Sequence, residues 1–195
     1  MKVKIGISGA HSTGKTTFIT QLEAALTNQS IPFKRVSDLA TICPLPILRE
    51  HTVESTLWIA SKGIADEIEA EHKFSVVIAD RPILDCWAYF NAVCKGRYPD
   101  DNTKLQTLKN AITNWLPTYN LIYQTVIDAT ILIEDNKGRD LDEAYRKLIG
   151  DEMIAASELF NVTPRELTSK NTTNELGFIL YFITAKFNKT QVGNA

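Results

Sequence analysis

The sequence predicts an α/β fold in which a parallel sheet is covered by helices on both faces. Three observations carry that expectation. Short apolar runs alternate with longer segments of helical periodicity, a glycine-rich loop joins the first run directly to the first helix, and acidic residues stand where several runs end. Open parallel sheets bind ligands beyond those carboxyl ends. The chain has 195 residues, 44 % apolar and 23 % charged, which suits one domain over residues 1–188 with a loose tail at 189–195.

Each element has its own signal. Val3, Ile5 and Ile7 alternate as in a buried strand, and Phe18, Leu22, Ala25 and Leu26 fall on one helical face. IPFKRVSD reads as a second strand ending at Asp38, and Pro44 and Pro46 make the following CPLPI a loop on the substrate side. Leu57, Ile59, Ala60, Ile64 and Ile68 mark an amphipathic helix from Val53 to about His72, and VVIAD is the third strand. Helices through WAYFNAV and LQTLKNAITNWL follow, the second stopping near Pro117, then LIYQTV as a fourth strand. A charged segment leads into a helix lasting to about Leu159, and FNVT is the candidate fifth strand. The spacing of Thr172 and Glu175 predicts a capping box for the last helix.

The loop is the most specific feature. GAHSTGKT, Gly9 to Thr16, has the form G-x-x-x-x-G-K-S/T between a strand and a helix, the arrangement in which backbone N–H groups cradle a polyphosphate. Gly9, His11, Ser12, Thr13, Gly14, Lys15, Thr16 and Thr17 are the expected nucleotide-binding residues, with Lys15 on the β and γ phosphates and the Thr16 hydroxyl on Mg²⁺. Gly9 and Gly14 stand where a side chain would obstruct the turn.

Further candidates lie at the other strand ends. Asp80 can order the water shell of Mg²⁺ and Arg81 can neutralise phosphate charge, the bland alternative being a strand-end ion pair. Asp85 either caps the next helix or faces the substrate. Asp38 is the candidate base for an attacking hydroxyl, against an Asx turn. Arg139 and Arg146 are two helical turns apart, so both can project from a lid over residues 134–146, although Asp142 with Arg146 and Glu143 with Lys147 also make ordinary i,i+4 pairs. Trp58, Trp87, Tyr89 and Phe90 fit a core better than a base-stacking platform.

Composition excludes several classes. The formal charge of −2 argues against a nucleic-acid groove, which leaves a basic footprint. Cys43, Cys86 and Cys94 are odd in number and form no CxxC pair, which argues against a disulfide framework or zinc site. FILYFITA is far shorter than a membrane span. The expectation is a cytoplasmic protein with a small-molecule partner, and a homodimer is compatible with it.

Together GAHSTGKT, SDLA with CPLP, STLWI, IADRPILDCWAY and DNKGRDLDEAYR resemble a family of small AAA-type P-loop proteins similar to thymidylate kinase and the nicotinamide riboside kinase domain, many of them encoded by bacteriophages. For a virus-encoded member the compartment would be the host cytoplasm. The likeness covers residues 1–160 and implies a P-loop NTPase fold with five parallel strands in order 2-3-1-4-5, ATP with Mg²⁺ as donor, and an arginine-bearing lid. By position it places Asp80, Arg81 and Asp85 along the active crevice and Arg139 in the lid. Members often carry Glu-x-Ala-Arg after the second strand; here Asp38, Leu39, Ala40 and Thr41 stand there, which argues against a phosphate ester as acceptor.

The leading expectation is a kinase moving the γ-phosphoryl of ATP to a nucleoside, nucleotide or similar small metabolite, with Lys15, Asp38, Arg81, Arg139 and Arg146 as catalytic residues and Asp38, Asp80, Arg81 and Asp85 around the acceptor. A regulatory ATPase module whose lid orders for a protein partner is the alternative, and a kinase for a modified base in DNA is a third. A GTPase switch fits poorly, because Asp80 is followed by RPI and NKGR lacks the final Asp of a guanine-reading motif. The third strand also lacks the Asp-Glu ending of a ring-forming AAA+ motor.

Overall fold

A computed structural model describes residues 2–127 and 142–192, with side chains through residue 188. The strands are β1 (Val3–Ser8), β2 (Phe33–Val36), β3 (Val76–Asp80), β4 (Leu121–Thr125) and β5 (Arg165–Leu167). The helices are α1 (Lys15–Asn28), α2 (Val53–Lys73), α3 (Ile83–Cys94), α4 (Thr103–Trp115), α5 (Glu143–Leu159) and α6 (Thr172–Val192). The sheet has the order β2-β3-β1-β4-β5, and every pairing is parallel. Both its type and its order agree with the expectation from sequence.

Strand alternation sorts side chains into two cores. Val3, Ile5 and Ile7 of β1, Val76 and Ile78 of β3 and Tyr123 of β4 pack with Phe18, Ile19, Leu22 and Leu26 of α1 and Ile179 and Ile183 of α6. Ala79 and Ile122 point the other way, into a core built mainly by α3, α4 and α5. This alternation also positions the site. Asp80 continues the Ile78 side of β3, toward α1, whereas Ser8 falls on the opposite side of β1 and meets α3 through Asp85.

Three local expectations are corrected. β2 ends at Val36, not Asp38, because Asp38 accepts the Ala40 N–H at 3.0 Å and turns the chain into a short 3-10 segment at Leu39–Ile42. FNVT is not the fifth strand: Phe160, Asn161 and Val162 bond back to Ala156, Glu158 and Ser157 to close α5, with Asn161 at φ 52°, and pairing with β4 begins only at Arg165. The Thr172–Glu175 capping box does not form, since the Glu175 carboxylate accepts the Tyr123 hydroxyl at 2.9 Å and two bonds from Arg165.

Candidate nucleotide site

The loop between β1 and α1 follows from its glycines. Gly9 has φ 142°, and a Cβ built there would stand 1.9 Å from Thr125 Oγ1, so β4 leaves room for nothing larger. Gly14 has φ 86° and caps α1 in the left-handed region, where an L side chain is strained. The loop is held from below by Asp85, 2 % exposed at the start of α3, which accepts the Ser8 hydroxyl at 2.5 Å and the Gly9 N–H at 3.3 Å. Burial pushes the Asp85 pKa up to about 6 against the pull of Arg81.

Lys15 turns onto the loop itself, donating to the Gly9 carbonyl at 2.8 Å and to the Ala10 carbonyl. Burial, and then the charge of Arg81, lower its pKa to about 7. The ammonium therefore lies against the loop's own Gly9 and Ala10 carbonyls.

Acid and base alternate around the neighbouring strand ends. Arg81 Nε donates to Asp38 Oδ2 at 2.6 Å, and its Nη1 reaches the Gly9 carbonyl at 3.0 Å, the Tyr89 hydroxyl at 2.9 Å and Asp85 at 3.5 Å. Arg35 of β2 pairs with Asp80 at 2.5 Å. Burial raises the Asp38 pKa, but Arg81 and the Ala40 N–H outweigh it and hold the carboxyl below its ordinary value. Arg81 has φ 73°, a backbone shape that costs a non-glycine residue about 1–3 kcal/mol and tends to mark functional sites.

These groups share a single cavity of about 1090 Å³. His11, Ser12, Thr13, Gly14, Lys15, Thr16 and Thr17 line it together with Asp38, Asp80, Arg81 and Asp85. Beyond them it continues between the connecting segment, through Leu39, Ile47 and Leu48, and α2, through Ile59, Gly63 and Ile64. Gly9 lies beneath the loop and contributes its carbonyl. Arg146 is 4 % exposed on α5 and is not among the lining residues, while Arg139 and the lid from 134 to 141 lie outside the described residues. Asp142 pairs with Arg49 at 2.7 Å, and Lys147 with Asp151 at 2.7 Å.

Sequence reasoning missed Arg35 and set Tyr89 aside as core. Tyr89 had a usable signal, because it lies one helical turn after Asp85 on α3. Arg35 had none, since its reach to Asp80 depends on the β2–β3 register, Arg35 opposite Ile78. Trp87 and Phe90 are core, as expected.

Fold order, the β1–loop–α1 unit and the acidic end of β3 define a P-loop nucleotide-binding domain. Residues 4–174 match the AAA domain family model, and the chain belongs to that family. No curated protein matches the sequence. Among solved structures, deoxyadenosine kinase from M. mycoides with bound dATP is similar at TM-score 0.64 and 12 % identity, covering 93 % of this chain and 99 % of that one. Thymidylate kinase from Candida albicans is similar at TM-score 0.60 and 15 % identity, covering 96 % and 93 %. No helix among the described residues is long and apolar enough to cross a membrane.

Proposed function

We propose that the protein is a kinase that transfers the γ-phosphoryl group of ATP to the hydroxyl of a small nucleoside- or nucleotide-like acceptor. One observation carries this reading: the cavity does not end at the phosphate loop but runs past Asp38 and Arg81 into a second compartment walled by the connecting segment and α2. A nucleotide switch has no need of such room. The kinase folds of the two similar structures support the reading.

In this scheme the loop amides and Lys15 hold the triphosphate. The acceptor oxygen attacks the γ-phosphorus, the bond to the β–γ bridging oxygen breaks, and ADP leaves with that electron pair. Asp38 accepts the hydroxyl proton, and Arg81, already anchored at Gly9 and Tyr89, balances charge on the transferred group. Asp38 with its lowered pKa is a weak base, so positioning contributes more to the rate than proton abstraction. Asp85 shapes the loop and Arg139 is assigned to the lid, whereas Arg146, buried in α5 and absent from the cavity lining, is left out of the scheme. Residues 1–188 act as one domain in this scheme.

The residues present suit Mg²⁺. The exposed Thr16 at the start of α1 and the Asp80 carboxylate would hold the ion together with phosphate oxygens, and no cluster of three candidate protein ligands occurs among the described residues. Sparse protein ligation is what this cation takes in phosphate sites. When bound, it supplies neutralisation of phosphate charge.

ADP release measured across a panel of nucleosides and nucleotides tests the reading. One acceptor is expected to stimulate release strongly, and Lys15→Ala to reduce the stimulated rate at least a hundredfold. A slow background, flat across the panel, would instead favour the regulatory module.

A further inference from the structure

We infer that the acceptor is an uncharged hydroxyl compound with an apolar body, nucleoside-like, and not a phosphate monoester. The inference rests on the kinase reading and narrows its substrate class. It comes from the distribution of charge around the cavity. Among the described residues the lining cations are Lys15, Arg35 and Arg81, facing Asp38, Asp80 and Asp85, while a fourth carboxylate, Glu67, is neutralised from behind by Lys4 at 3.1 Å. Lys15 is assigned to the donor. Both guanidiniums are already held by carboxylates, Arg35 by Asp80 at 2.5 Å and Arg81 by Asp38 at 2.6 Å.

Away from the loop amides, which the donor occupies in this scheme, a phosphate monoester is bound most strongly by a guanidinium fork offered to two of its oxygens. Turning Arg81 to that task would abandon the partly buried Asp38 carboxylate and add the acceptor's two negative charges beside it, an arrangement penalised strongly where water is excluded, while Arg35 stands with Asp80 at the carboxylate assigned to Mg²⁺. The wall of the second compartment gives the matching half of the argument. Leu39, Ile47, Leu48, Ile59 and Ile64 are apolar, and apart from Glu67, paired with Lys4, the polar groups beside them, Ser37, Thr41, His51 and Thr56, carry no charge at neutral pH. Burial keeps His51 neutral by lowering its pKa to about 4. Such a slot accepts a flat ring with few charges and leaves one hydroxyl at the Asp38 end.

Calorimetry on the full chain, saturated with Mg²⁺ and a non-hydrolysable ATP analogue, compares common nucleosides with their 5′-monophosphates. At least one nucleoside is expected to bind, with its monophosphate at least tenfold weaker, and Asp38→Asn, which releases Arg81, is expected to shrink that ratio about tenfold. Tighter binding of the monophosphate, no nucleoside binding by protein that holds the analogue, or a ratio unmoved by Asp38→Asn would each overturn the inference. Failure of the underlying kinase reading looks different: the nucleoside preference appears in binding, yet γ-phosphoryl transfer to the bound nucleoside is absent.

Discussion

Lys15 illustrates how one residue sets a measurable pH dependence. Its pKa of about 7 in the free protein means that the ammonium is lost as pH rises above neutrality, whereas a bound polyphosphate favours the charged form and raises that pKa. Triphosphate affinity should therefore weaken by up to about tenfold per unit as pH rises above 7. Calorimetry at pH 8 in two buffers of different ionisation enthalpy should show uptake of about one proton per nucleotide, an uptake that Lys15→Ala removes. Arg81 permits a second test at this scale. Arg81→Ala and Arg81→Gly remove the same charge, but only glycine relieves the left-handed backbone at φ 73°. The glycine variant is expected to be more stable than the alanine variant by about 1 kcal/mol in chemical denaturation, with phosphoryl transfer lost equally in both.

Among the elements, β1 and α2 are joined by an interaction that ordinary patterning conceals. Lys4 is 1 % exposed within β1, bonded to Glu67 at 3.1 Å, Glu71 at 3.0 Å and Thr118 at 2.9 Å, with its ammonium 4.2 Å from the centre of the Trp115 ring. Glu67 also accepts Trp115 Nε1 at 2.7 Å and the Tyr119 hydroxyl at 2.6 Å. Lys4→Ala leaves that carboxylate buried without its cation and is expected to cost about 3–5 kcal/mol, while the double variant Lys4→Met, Glu67→Gln should cost markedly less. Urea midpoints of the three proteins check this. The same network explains a limit of sequence reading: a lysine inside VKIGIS looks like the polar position of a half-exposed strand, and only the packing of α2 and α4 shows that it is buried.

Across the whole molecule, the legible parts were those with local causes. The strand, glycine loop and helix around Gly9 to Thr16 follow from steric and periodic rules within one short segment, and the VVIAD strand with Asp80 at its end reads the same way. What could not be read was set by partners distant in sequence. FNVT has strand composition but is consumed by the end of α5, and Glu175 has cap spacing but is drawn to Arg165 and Tyr123. Arg35 entered the site through strand register alone. Binding should report on the assembled domain as a unit: a triphosphate present at a hundred times its Kd is expected to stabilise the fold by about 2.7 kcal/mol, seen as a rise in Tm that Lys15→Ala removes.

The position of α3 links the two halves of the cavity. Its first turn braces the phosphate loop through Asp85, and the same helix contributes Cys86 and Tyr89 to the cavity wall. A shift of this one rod on filling either compartment would be felt in the other. Thermodynamic linkage then makes the effect mutual, so that whatever factor an acceptor adds to triphosphate affinity, the triphosphate returns to the acceptor.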